Sequence, residues 1–185
     1  MGSQGSIHFY VQDKSVVEML LAVYANPESK LHKDPTHNGW YAPLIVISDC
    51  FISIYDGSFA VCGDMYREAT LFSNAVGKPA MCFVNANDDV IEIFAQSGDV
   101  CITRGLFADE DWEVEIDIEL FRESLMLPYC KDKLENLTVV GDAIALVEGF
   151  EAMTGLAFTL RNLDEKCLVK ECTFEGVDVY RQAKR

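Results

Sequence analysis

The sequence predicts an α+β fold, an antiparallel β-meander with helices packed on one face. Three observations carry that expectation. β-rich runs crowd between residues 44 and 104, several of them are joined by short turns that suit antiparallel neighbours, and helical spacing gathers toward either end of the chain. The 185 residues show no internal repeat and no linker dividing two cores, and half of them are hydrophobic, so a single domain over 1–185 is expected.

The elements follow in order. MGSQGS (1–6) reads as disordered or as an appended expression sequence, and IHFYV (7–11) as a strand. Asp13 is placed to N-cap a helix with Val16, Val17, Leu20 and Val23 at helical spacing, ending before Pro27. Residues 27–42 form a long loop and LIVIS (44–48) resumes the sheet. FISIY and SFAVCG flank Asp56-Gly57, a strong hairpin signal. MYREATLFSNAV then predicts a helix with Leu71, Phe72, Ala75 and Val76 on one face, Gly77 at its left-handed end and Pro79 as the stop.

Strands AMCFV (80–84), VIEIFA (90–95) and VCITR (100–104) come next. IELFRESLML (118–127) is helical up to Pro128. NLTVVGDAIALVEGFEAMTG stacks Val140, Ala143, Ile144, Val147 and Phe150 on one stripe. Gly141 and Gly149 each cost that helix about 1 kcal/mol relative to alanine, which argues for a close approach to the sheet or for a shorter helix. A helical turn at 159–166, a strand at 167–174 and a frayed tail at 180–185 complete the reading.

Charge and cysteine usage narrow the function. Thirty Asp and Glu against fifteen Lys and Arg give a formal charge of −15, which repels phosphate backbones and anionic membranes. Direct nucleic-acid and membrane partners are therefore not expected. Seven cysteines, an odd number, include Cys62, Cys82 and Cys101 inside apolar runs, the pattern of reduced thiols used as small hydrophobes. With no signal-peptide pattern at the start and no apolar run of about 18 residues, a cytoplasmic location is expected.

Motif searching removes most chemistry. G-x-G-x-x-G, P-loop, H-E-x-x-H and G-x-S-x-G patterns are absent. Cys167 and Cys172 lack a second ligand pair, and NANDDVIE has Val90 where an EF-hand loop needs glycine, so neither a metal nor another cofactor is expected. His32, Asp34 and His37 share a loop and offer an acid and a base, the basis of an alternative reading as a small enzyme or ligand-binding domain. A polar turn explains the same residues more simply.

Residues 109–119, DEDWEVEIDIE, hold seven carboxylates and no basic group. From 112 to 119 the pattern alternates, with Trp112, Val114, Ile116 and Ile118 on one side and Glu113, Glu115, Asp117 and Glu119 on the other, which predicts a half-buried strand. Its acidic row would repeat every 6.6 Å or about that, twice the rise per residue. Such a row protects a sheet edge from aggregation, or it steers a cationic partner, with Trp112 beside Asp109, Glu110 and Asp111 as an aromatic anchor. The expected contact surface comprises Asp109, Glu110, Asp111, Trp112, Glu113, Glu115, Asp117 and Glu119.

The segment FVNANDDVIEIFAQSGDVCITRGLF, followed by a helix and ALVEGFEAMTGLAFTL, resembles bacterial toxin-immunity-type proteins and related uncharacterised small acidic families. The resemblance spans roughly residues 80–165 and contains no diagnostic motif, so no residue role is carried over from it. It implies an inhibitor that neutralises a toxin by direct contact. The expectation is thus a protein-binding module rather than an enzyme, with a basic partner such as a toxin or nuclease. The further alternative is a structural subunit of a larger assembly.

Overall fold

A computed structural model describes residues 4–11, 13, 15–25, 44–47, 51–55, 59, 64–86, 89–109, 111–125, 143–154, 156, 158, 168–171 and 179–182. The first half runs β1 (Gln4–Tyr10), α1 (Val16–Ala25), β2 (Leu44–Ile47), β3 (Phe51–Tyr55), α2 (Asp64–Val76) and β4 (Ala80–Ala86). These four strands lie in the order β4-β1-β3-β2, a split β-α-β arrangement in which each helix carries the chain over an intervening strand. Beyond β4 the sheet continues as a meander of β5 (Val90–Ser97), β6 (Val100–Ala108) and β7 (Asp111–Val114). Beyond β2 it continues as β8 (Leu168–Glu171) and β9 (Val179–Gln182). All neighbouring pairs are antiparallel. The remaining helices among the described residues are α3 (Ile118–Ser124) and α4 (Ala143–Thr154).

The α+β class and the antiparallel meander are as the sequence predicts. Helices cover both faces of the sheet, however, rather than one. Successive strand residues point to opposite faces, and the buried residues sort accordingly. Ile7, Phe9, Ile52, Ile54, Cys82, Val84 and Phe94 pack with Val17 and Leu20 of α1 and with Met65, Ala69 and Phe72 of α2. Phe51, Met81, Phe83, Ile91, Ile93 and Phe107 pack instead with Phe121 of α3, Leu146 and Phe150 of α4, and Phe158. All five residues of β3 are buried, as a strand covered on both faces requires.

α2 ends as its residues dictate. Gly77 has φ +69° and donates its N–H to Ser73 O at 2.8 Å, closing the last turn ahead of Pro79. Asp13 lies three residues before the start of α1: its Oδ1 accepts from Ser15 N at 2.9 Å and its carbonyl from Val16 N at 3.3 Å, an Asx turn that leads into the helix. The hairpin expected at Asp56-Gly57 lies outside the described residues, and both edges of β3 are taken, one by β1 and the other by β2. Phe59 enters the core, fully buried beside Phe72.

The described residues nearest either end of the sequence lie in strands. β1 begins at Gln4, and a Cβ on Gly5 would lie 2.4 Å from Phe59 Cβ, so this strand passes directly against Phe59. Val179–Gln182 pairs with β8 as β9, a strand that includes residues 180–182 of the tail expected to fray at 180–185. α4 is described over Ala143–Thr154, while Gly141 and the expected turn at 159–166 lie outside the described residues. Among the described residues no helix is long and apolar enough to cross a membrane.

Candidate protein-binding surface

β7 is the terminal strand of the sheet and carries the centre of the acidic segment. The chain enters it through Asp109, a non-glycine residue at φ +51°, conformationally easier for Asp than for most side chains. Phe107 pairs with Trp112 while the next step on β6, Leu106, pairs with Val114, so one extra residue is accommodated on β7. This bulge changes the pattern read from the sequence. Phe107 lies opposite Ile91 on the α3/α4 face, whereas Leu106 lies opposite Glu92 on the α2 face. Trp112 and Val114, two residues apart, consequently follow their partners to opposite faces. Val114 is left 40% exposed instead of joining the core.

Trp112 is not a protruding anchor. Its ring meets Phe107 edge to face at 5.5 Å, and a Cβ on Gly105 would come within 2.8 Å of both Trp112 Cζ3 and Ile116 Cβ. Gly105 is thus the floor on which the indole and Ile116 rest. Among the described residues the buried indole Nε1 has no hydrogen-bond partner.

The predicted strand over 112–119 stops at Val114, and Ile118 already belongs to α3. Asp117 is the N-cap of that helix: its Oδ1 accepts from Leu120 N at 2.9 Å, while its own N–H donates to Thr103 Oγ1 at 3.2 Å on β6. Glu119 sits in the first turn, where the helix dipole favours a carboxylate, and pairs with Arg122 at 3.3 Å. Asp117 and Glu119 therefore serve α3. Asp117→Ala is expected to cost about 1 kcal/mol, seen as a lower urea midpoint with unchanged slope; no change would remove its role as cap.

Asp109, Asp111, Glu113 and Glu115 are the carboxylates left facing solvent. Among the described residues no ion pair reaches them, since Arg104 is bound to Glu92 and Arg122 to Glu119 and Glu123. Asp111 Oδ1 accepts from the N–H of Trp112 at 2.8 Å and so occupies a backbone donor of the edge strand. With only four residues, a bulge and this occupied donor, β7 is poorly suited to receive another strand. A partner would meet side chains rather than backbone. Glu110, and His32, Asp34 and His37 of the alternative reading, lie outside the described residues.

Two buried polar clusters sit elsewhere in the sheet. Glu92, 4% exposed, accepts at Oε1 from the Tyr66 hydroxyl and from Arg104 Nε. Arg104 lies over the Tyr66 ring, 5.9 Å from its centroid, and Tyr66 stacks on Phe94 at 4.4 Å. Burial and the Glu92 hydrogen bond push the Tyr66 hydroxyl upward, so it remains a donor. The Glu92 bond likewise raises Arg104. Burial raises the thiols of Cys82 and Cys101, leaving both as poor nucleophiles at neutral pH.

The second cluster surrounds His8, which is fully buried with Nε2 2.7 Å from Ser6 Oγ and Nδ1 2.7 Å from Ser53 Oγ. Burial holds this imidazole down to about 3, neutral across the physiological range. The sequence signal for both clusters is a titratable side chain inside an apolar strand, Glu92 in VIEIFA and His8 in IHFYV. Among the described residues no three His, Cys, Asp or Glu side chains gather in a way that could hold a metal ion. Comparisons with protein-family models, with curated proteins and with solved structures gave no match.

Proposed function

We propose that the chain is an acidic protein-binding module, an immunity or inhibitor protein that neutralises a basic toxin or nucleic-acid-binding protein by direct contact. The supporting observation is the group of exposed carboxylates Asp109, Asp111, Glu113 and Glu115, which no cation among the described residues compensates, on a chain of net charge −15. A field of one sign accelerates encounter with an oppositely charged surface by about 10- to 1,000-fold at low salt. The blunted edge of β7 makes this a contact of side chains, whose strength falls as salt screens it.

The test is retention of a partner from source lysate by the wild-type chain and by the triple variant Asp111→Lys, Glu113→Lys, Glu115→Lys. These positions avoid the Asp117 cap and the Glu119 ion pair, and the one local contact given up is the exposed bond from Trp112 N–H to Asp111. A stoichiometric basic protein should be held at low salt, released near 0.5 M, where the Debye length is about 4 Å, and not retained by the variant. Equal retention by the variant, or no basic partner at all, rejects the reading.

A further inference from the structure

We propose that Ser53, His8, Ser6 and the carbonyl of Phe158 form one directed hydrogen-bond chain that latches the segment following α4 onto the sheet, and that the latch opens when His8 takes up a proton. The direction follows from counting hydrogens. Ser6 has a single hydroxyl hydrogen, and its Oγ lies 2.7 Å from His8 Nε2 and 3.3 Å from Phe158 O. A carbonyl only accepts. For both contacts to be bonds, Ser6 donates to Phe158 O and accepts from His8 Nε2–H, which leaves Nδ1 as the acceptor for the Ser53 hydroxyl at 2.7 Å. The neutral Nε2–H tautomer is thereby selected.

Phe158 is the clasp. Its N–H donates to Glu151 Oε1 of α4 at 2.7 Å while its carbonyl is held by Ser6, so its backbone ties the second helical layer to the central strand. Its ring lies flat on Phe83 at 4.7 Å and against His8 at 5.4 Å, closing the imidazole from above. Tyr55 of β3 closes a second side, edge on at 5.7 Å.

A proton on Nδ1 would turn Ser53 from donor to acceptor and place a full charge in this enclosure. The titratable groups facing the imidazole are phenols, Tyr55 and, on the same face of β1, Tyr10. The Glu151 carboxylate is engaged by the Phe158 amide, and Glu148 on the same helix is exposed. No carboxylate among the described residues bonds to the ring, and burial is the cause of its lowered proton affinity. The sign follows directly. Below the ordinary histidine value near 6.5, a hydrated His8 binds a proton that the latched form refuses, so acid favours opening by a factor of ten for each pH unit.

Amide hydrogen exchange of the full chain between pH 7.5 and 5.5, corrected for intrinsic rates, tests the latch. Peptides covering 150–158 should lose about tenfold of their protection at pH 5.5, while β5 keeps its own. His8→Gln should remove the pH dependence. If that variant does not fold, Ser6→Ala, which keeps the imidazole, should loosen the segment already at pH 7.5. Nitrogen-15 spectra at pH 7.5 should show the His8 proton on Nε2. A proton on Nδ1, protection of 150–158 that is constant to pH 5.5, or simultaneous loss from 150–158 and β5 overturns the proposal.

Discussion

Phe158→Ala is expected to lower the free energy of unfolding by about 3–5 kcal/mol, the range for removing a large aromatic from a packed core. Phe158 is fully buried, stacked on Phe83 with ring planes 10° apart and inclined to Phe150 at 6.2 Å. Collapse into the vacated volume would reduce the cost, but here the backbone is held on both sides. Its N–H is fixed by Glu151 and its carbonyl by Ser6. The neighbouring segment therefore cannot follow the lost ring, and the effect should fall in the upper part of the range. Urea denaturation with unchanged slope reads it; a change below about 1 kcal/mol would mean the ring is not seated between the sheet and α4.

Arg104→Ala should cost about 2–3 kcal/mol, below the value for a fully buried pair because solvent reaches the guanidinium. The asymmetry between the partners decides this. The Glu92 side chain is 5% exposed and that of Arg104 41%, so truncating the arginine strands a buried carboxylate with one phenol donor. Glu92→Gln leaves no buried charge, and in its background Arg104→Ala should cost far less. The double-mutant cycle returns the coupling directly. Additive effects of the two changes would show that Arg104 contributes only by packing over Tyr66.

The parts of this fold legible in the sequence are those written locally. The Gly77-Lys78-Pro79 stop of α2 and a short turn between the strands read at 90–95 and 100–104 both form where the sequence places them, because each depends on residues adjacent in the chain. The second covered face is not among them: helices are expected on one face only, although the continuous apolar run of AMCFV is buried along its length. What stays hidden depends on distant partners. The register shift at Leu106 and Phe107 reverses the direction of Val114, and nothing in DWEVEIDIE signals it. Of the expected contact surface, the acidic character of Asp109, Asp111, Glu113 and Glu115 is legible. The use of Asp117 as a cap, and of Trp112 as packing over Gly105, requires knowing where β7 ends and which strand lies beside it.

β1, the first strand of the chain, lies fifth of nine in the sheet. Its pairing partners come late: Ile7 registers with Ile54 on one side and Cys82 on the other. During synthesis the central strand therefore emerges before either neighbour exists: β3 is complete at Tyr55, and β4 closes the second edge only at Ala86. At about 5–20 residues per second the interval is about 4–16 s. Until β3 arrives Ile7 and Phe9 have no sheet to enter, and until β4 arrives one edge of the strand that ends at the centre of the native sheet stays open.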